Sequence, residues 1–207
     1  MMAIVPFKLK DPKSRLSKVL SLNERIELAK RMLSDVLDTL TNFVDVTVLV
    51  PPKTELDLDV KVEEDDRDLD SAINARLKRD TAVVMSDLPL INEDVLKRFF
   101  ETEGDVVLAP GRKGGTNMLL VRVDDFRVSY HYGSFFKHLE IARKLNLKVE
   151  VFDSFYASVD VDDESDLLEL MLHGKGKRSW DYLRSIGFDI DFSSKDPKLV
   201  RVSREPS

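Results

Sequence analysis

The stretch TAVVMSDLPLINEDVLKRFF, residues 81–100, decides the fold class. Thr81 to Met85 is an unbroken apolar run, the pattern of a strand buried on both faces rather than alternately wetted. Ser86-Asp87-Leu88-Pro89 stops it with turn residues. Asn92 then offers a side-chain oxygen to cap a helix over Glu93 to Phe100. Strand, polar turn and capped helix form the repeating unit of a parallel α/β sheet.

The same unit recurs on either side. Ala3 to Phe7 reads as a buried strand, followed by a basic loop, Lys8 to Lys18. Ser21 and Glu24 make an S-x-x-E capping box, and Ile26, Ala29, Leu33, Val36, Leu37 and Leu40 recur at helical spacing behind it. Val44 to Val50 is a β-branched strand closed by Pro51-Pro52. Leu58 to Val62 is a short third strand, and the acidic segment Glu63 to Asp70 leads into a helix through Leu77. Downstream, Asp105 to Ala109 and Met118 to Val123 are strands separated by the glycine-rich turn Gly111 to Gly115. Ser134 is a candidate cap for a helix that buries Phe135, Leu139, Ala142 and Leu145. Lys148 to Phe152 is a further strand, Asp163 to Leu172 a helix ended by Gly174 and Gly176. Trp180, Leu183 and Ile186 mark a short helix before one or two edge strands.

These elements predict one α/β domain over residues 1–207, with three layers and a mainly parallel sheet between helices. Residues 176–207 carry the weakest pattern and are a candidate dimerisation element, so a homodimer is expected as an option. In open sheets of this kind ligands bind beyond the carboxyl ends of the strands. That directs attention to Lys8–Arg15, Asp87, Gly111–Asn117 and Asp160–Asp162.

Composition removes several classes of function. The net charge of the 207 residues is −6, against the positive footprint a general nucleic-acid binder needs. With no cysteine there are no disulfides and no thiolate metal sites. The three histidines lack zinc-ligand spacing. The apolar start is too short for a signal peptide, and no stretch reaches the roughly 18 apolar residues of a membrane span. A cytoplasmic protein with no membrane partner is expected.

Five clusters carry the chemistry. Lys8, Lys10, Lys13 and Arg15 follow the first strand, where cations neutralise polyphosphate charge as a bond breaks; basic surface loops of this size are also common, and no G-x-x-x-x-G-K phosphate loop is present. Asp87 directly follows a buried strand, where a carboxylate holds magnesium against phosphate oxygens or merely ends a turn. Asp160 and Asp162 point the same way on extended backbone, and either one could complete a metal site with Asp87, while Asp163 caps the next helix. In Gly111–Asn117, glycines let backbone N–H groups approach an anion, and Thr116 and Asn117 add donors. Tyr130-His131-Tyr132-Gly133-Ser134 leads into a helix N-terminus, an anion site or an ordinary cap.

Taken in order, VPFK (5–8), KSRLS (13–17), MSDLPL (85–90), PGRKGGTN (110–117), YGSFFKH (132–138), DSFYASVDVDDESDL (153–167) and LLELMLHGKG (167–176) resemble the archaeal 2-phospho-L-lactate guanylyltransferase family of coenzyme F-420 biosynthesis. The resemblance covers about residues 1–176 and implies a GT-A-like nucleotidyltransferase fold. It implies an enzyme that joins GMP from GTP to 2-phospho-L-lactate, with phosphoenolpyruvate or 3-phosphoglycerate as related acceptors, and releases pyrophosphate with magnesium as cofactor. By position, it makes Asp87 and either Asp160 or Asp162 the metal ligands. Thr116, Asn117, His131, Gly133 and Ser134 bind the phosphorylated hydroxy acid, and Lys8, Lys13 and Arg15 face the GTP phosphates. The family usually has Leu-Asn where this chain has Leu69-Asp70; ionised Asp only accepts hydrogen bonds, which puts a nucleotide contact there in doubt. The competing readings are a nucleotidyltransferase with another acceptor and a non-catalytic nucleotide-binding regulator on the same fold. The first strand lacks a following glycine-rich loop, which argues against a sugar-nucleotide enzyme.

Overall fold

The computed structural model describes residues 1–202. The last five residues of the expected domain, 203–207, and with them the end of the candidate dimerisation element, lie outside the described residues. Strands β1 (Met2–Pro6), β2 (Asp45–Val50), β3 (Lys61–Glu64), β4 (Thr81–Val84), β5 (Val106–Pro110), β6 (Thr116–Val121) and β7 (Val149–Val151) form one sheet in the order β3-β2-β1-β4-β6-β5-β7. The pairings β1–β2, β1–β4, β2–β3 and β5–β7 are parallel, as the alternation of strands and helices predicts. β6 runs against both of its neighbours. Reversal follows from the short glycine-rich turn between β5 and β6, which has no room for the crossover that a parallel strand needs.

The helices are α1 (Leu22–Leu40), α2 (Leu69–Asn74), α3 (Glu93–Glu101), α4 (Ser134–Lys144), α5 (Phe155–Ser158), α6 (Glu164–His173) and α7 (Arg178–Ser185). α1 and α3 bury Leu33, Val36, Val95 and Phe99 against one face of the sheet. α2 and α4 bury Ile73 and Ala142 against the other. This is the three-layer α/β arrangement. α1 has a second apolar stripe, Leu28 and Met32, which packs on α6, α7 and the hairpin of β8 (Phe188–Asp191) and β9 (Lys198–Arg201). Leu28 and Met32 are fully buried because α1 is covered on two sides.

The caps of α1, α3 and α6 are those expected. Ser21 and Glu24 exchange backbone bonds, Asn92 Oδ1 accepts from Val95 N–H at 3.0 Å, and Asp163 caps α6 with Asp166 as its reciprocal partner. Other boundaries differ. The third strand lies at Lys61–Glu64 rather than 58–62, and α2 stops at Asn74 rather than Leu77. α5 and a 3-10 turn at Ser14–Leu16 were not legible in the sequence. The cap of α4 is Gly133 in the left-handed conformation (φ 67°), not Ser134, whose hydroxyl is engaged elsewhere. Leu145 is exposed, because α4 ends one residue before it. The C-terminal strands pair with each other instead of edging the main sheet. Among the described residues no helix is long and apolar enough to cross a membrane.

One polar contact anchors the C-terminal layer. Asp35 of α1 is buried, and its carboxylate accepts from Arg178 N–H (2.7 Å), Ser179 N–H (3.0 Å) and the Ser179 hydroxyl (2.5 Å), so it caps α7 from 143 residues away. Burial pushes its pKa up, against the opposing pull of these bonds. Asp35→Ala leaves the buried Ser179 donors without an acceptor and should lower stability by about 2–4 kcal/mol. An unchanged urea midpoint would show that α7 needs no cap.

Candidate functional site

At the carboxyl ends of β1 and β4 the chain brings two carboxylates onto one cation. Lys13 Nζ lies 2.5 Å from Asp87 Oδ2 and 2.8 Å from Asp162 Oδ1, and its side chain is 11% exposed. The backbone N–H of Val161 donates to Asp87 O at 3.0 Å, tying the two acidic segments together. Burial would lower the Lys13 pKa, but Asp87 and Asp162 outweigh it and hold the ammonium charged. Lys13 has φ 53°, a left-handed conformation that non-glycine residues adopt at a cost of about 1–2 kcal/mol. Arg15 stands 3.7 Å from the other oxygen of Asp162 and is largely exposed. Asp160 instead faces the amide of Asn117 at 3.3 Å, and burial together with the charge of Asp87 raises its pKa.

Asn117 is buried and also donates to Ala157 O at 3.0 Å. Its side chain runs beneath the glycine-rich turn: a Cβ on Gly111 would meet Asn117 Oδ1 at 2.4 Å, so only glycine fits there. The basic pair of this turn serves the fold. Arg112 bonds the buried Asp166, and Lys113 Nζ lies 2.7 Å from Asp163 and 3.1 Å from Asp166, clamping the turn to the start of α6.

Thr116 and Ser134 come together but turn inward. Thr116 N–H donates to Ser134 Oγ at 2.9 Å, and Thr116 Oγ1 meets His138 Nδ1 at 2.8 Å, all three side chains being buried. His138 Nε2 accepts from Ser129 N–H at 2.9 Å, so Nδ1 carries the proton and donates to Thr116. His131 is exposed and lies 3.4 Å from Asp70.

Three clefts follow one another along this edge. The first, about 470 Å³, lies between Pro6, Leu49, Val50, Pro51 and the first turn of α2, with Arg67, Asp68 and Met85. Phe7 and Lys8 belong both to it and to a second cleft of about 340 Å³, lined by Lys10, Lys13, Ser86, Asp87 and Asp162. Asp162 in turn leads into a third, about 510 Å³, with Arg15, Lys113, Tyr130, His131, Gly133, Ser134 and Asp160. Lys8, Lys13, Arg15, Asp87, His131, Gly133, Ser134, Asp160 and Asp162 each line a cleft, whereas from Gly111–Asn117 only Lys113 and Gly115 do. Thr116 and Asn117 sit directly behind the walls. The first cleft was missed, although Pro51 and Arg67 follow β2 and β3 at the strand ends where ligands are expected. His138 was missed because a buried histidine leaves no spacing signal.

Among the described residues no group of three or more His, Cys, Asp or Glu side chains is close enough to enclose a metal ion. Asp87 and Asp162 nonetheless fit one: two hard oxygen donors from separate segments already share a cation, the Lys13 ammonium.

The family model described as guanylyl transferase CofC like matches residues 1–205. A 2-phospho-L-lactate guanylyltransferase of Archaeoglobus fulgidus is 59% identical over 203 residues, 97% of each chain. That of Ferroglobus placidus is 60% identical over 199 residues, 96% of this chain and 98% of its own. Among solved structures, a candidate nucleotide-diphospho-sugar transferase of Desulfovibrio desulfuricans G20 superposes with TM-score 0.71 at 17% identity, over 89% of this chain and 94% of its own. A nucleotidyl transferase of Methanothermobacter does so with TM-score 0.54 at 15% identity, over 89% and 99%. These two establish a nucleotidyltransferase-like fold.

Burial, helped by Lys137, lowers the His138 pKa from 6.5 to about 4. The folded pKa lies below the unfolded one, so this residue's contribution is present above about pH 6.5 and is lost as pH falls toward 4, by up to roughly 3 kcal/mol. Urea midpoints should therefore decline from pH 6.5 downward, and the decline should flatten in His138→Gln. An equally steep decline in that variant would assign the loss to other groups.

Proposed function

The chain belongs to the guanylyl transferase CofC-like family, and on that premise we propose that it transfers GMP from GTP to the phosphate of 2-phospho-L-lactate, releasing pyrophosphate, in coenzyme F-420 biosynthesis. The observation that carries the reading is the continuous trough whose middle cleft holds Lys8, Lys10, Lys13 and Asp87 between an apolar-walled cleft and a third one lined by cations. Guanine occupies the first cleft, the triphosphate lies over the second, and the phosphorylated acid enters the third.

An oxygen of the acid's phosphate attacks the α-phosphorus of GTP in line. The new P–O bond forms as the bond to the β-phosphate oxygen breaks, and pyrophosphate leaves with the electron pair. The attacking oxygen is already anionic, so no side chain has to remove a proton. Lys8, Lys10 and Lys13 offset charge that accumulates on the leaving group, while Arg15, which lines the third cleft rather than the second, orients the acid with His131. Magnesium would be held by Asp87 and Asp162, with Asp160 beside them, and would supply further charge neutralisation on the phosphates once Lys13 turns toward them. Thr116, Asn117 and Ser134 act from behind, keeping the glycine-rich turn and the start of α4 in place. The reading includes a cytoplasmic location. It also includes a homodimer through residues 176–207, whose hairpin exposes Phe192 at its turn and Val202 at its opposite end; sedimentation would test that state.

Pyrophosphate release with GTP should be fastest with 2-phospho-L-lactate among the three candidate acids, and absence of release with all three would overturn the reading. Asp87→Asn should cut kcat by about a hundredfold or more, as loss of a charged group at the transferring phosphates costs several kcal/mol. Its melting temperature should stay near that of the parent. Near-normal turnover at limiting magnesium would remove Asp87 from the site.

A further inference from the structure

We infer that Asp70 is a positioning residue for the acid pocket, through which the nucleotide-side helix α2 holds the loop that lines that pocket. The names of the two ligands rest on the function proposed above, but the geometry does not. Asp68, which caps α2, and Leu69 and Ala72 within it line the first cleft. Asp70 and Asn74, four residues apart and so on one face of the helix, reach the segment 128–130 instead.

That segment belongs to no strand. Its three consecutive backbone N–H groups are nevertheless all taken by side chains. Val128 N–H donates to Asn74 Oδ1 (2.7 Å), Ser129 N–H to His138 Nε2 (2.9 Å) and Tyr130 N–H to Asp70 Oδ1 (2.7 Å). Asn74 Nδ2 completes the grip by donating to Val128 O at 3.1 Å. Side chains from α2 and α4 thus do what a neighbouring strand would do. The chain passes directly from this grip into the pocket, where Tyr130 through Ser134 form one wall.

Asp70 is the last hold before that wall. Its second oxygen lies 3.4 Å from His131 Nε2. The Tyr130 hydroxyl is buried with no hydrogen-bond partner among the described residues, so the ring is placed by its backbone and packing, and the Asp70 bond fixes that backbone. The side chain of Asp70 is 17% exposed and faces away from the nucleotide cleft, which accounts for an acceptor-only residue at this position. A nucleotide seated against Asp68 and Leu69 would steady the same helical turn, and Asp70 would pass that order to the acid pocket.

Asp70→Ala and Asp70→Asn separate this role from plain stability. A hydrogen bond to a charged group governs the pose of the loop, so Asp70→Ala should raise KM for 2-phospho-L-lactate by about tenfold to a hundredfold and leave KM for GTP little changed. The Asn side chain still accepts from Tyr130 N–H, so Asp70→Asn should recover most of the loss. Without any substrate, amide exchange at residues 129–131 should be faster in Asp70→Ala and restored in Asp70→Asn. A non-hydrolysable GTP analogue should slow exchange there in the parent and not in Asp70→Ala. Unchanged exchange in Asp70→Ala, or equal rises in both KM values with a lower melting temperature, would overturn the inference. If the parent transfers to none of the three acids while Asp70→Ala still exchanges faster at 129–131, the function proposed above fails and the positioning role of Asp70 stands.

Discussion

The trough depends on one neutralisation. Asp87, Asp160 and Asp162 arrive from two segments at the carboxyl ends of the central strands, and the Lys13 ammonium sits between two of them. Two unit charges roughly 4 Å apart interact by about 4 kcal/mol at the intermediate dielectric of a protein surface. Unrelieved, repulsion of that size would push apart the loop after β4 and the approach to α6. With Lys13 in place the backbone bond from Val161 to Asp87 can close, and the middle cleft has a floor. The left-handed backbone at Lys13 is the local strain that this placement carries.

Beyond Lys13, basic side chains near the trough divide into a held group and a free group. Arg112 and Lys113 are engaged by the α6 cap, where Asp163 and the buried Asp166 hold them, so the glycine-rich turn is fixed before any ligand arrives. Lys8, Lys10 and Arg15 are exposed or lightly held and free to meet phosphate. The division follows from position. A cation facing a helix N-terminal carboxylate finds its partner within the fold, whereas one on the loop beyond β1 faces water or substrate unless, as at Lys13, acidic segments close on it.

Much of this was legible beforehand because the signals are local. The capping residues Ser21, Asn92 and Asp163 and the apolar run at residues 81–85 depend on neighbours within a few positions, and each lies where its pattern put it. The strand-end rule likewise found Lys13, Asp87 and Asp162 without showing that they touch. What the sequence hid was tertiary. Thr116 and Ser134 look like paired hydroxyls for an anion, yet their partners are each other and His138, distant in sequence. Asp70 looked like a lost nucleotide contact, but the group it serves is a backbone N–H sixty residues away. The first cleft mixes core residues such as Leu49, Val50 and Ala72 with charged residues from separate turns, Asp65, Arg67 and Asp68, a combination that no single stretch of sequence displays.

The reversed strand β6 has a consequence for the order in which the molecule is built. Neighbours in the rest of the sheet must wait for crossovers or long connections to return the chain, whereas β5 and β6 are joined by a five-residue turn. Hairpins of this kind close in about 1–10 μs, and short-range contacts of this sort speed folding. The β5–β6 pair can therefore exist as a two-stranded ribbon before β4 docks on one side and β7 on the other. Because Thr116 and Asn117 open β6 just past the turn, the scaffold behind two walls of the trough would be among the first parts in place, and Lys13, Asp87 and Asp162 would close over a surface already formed.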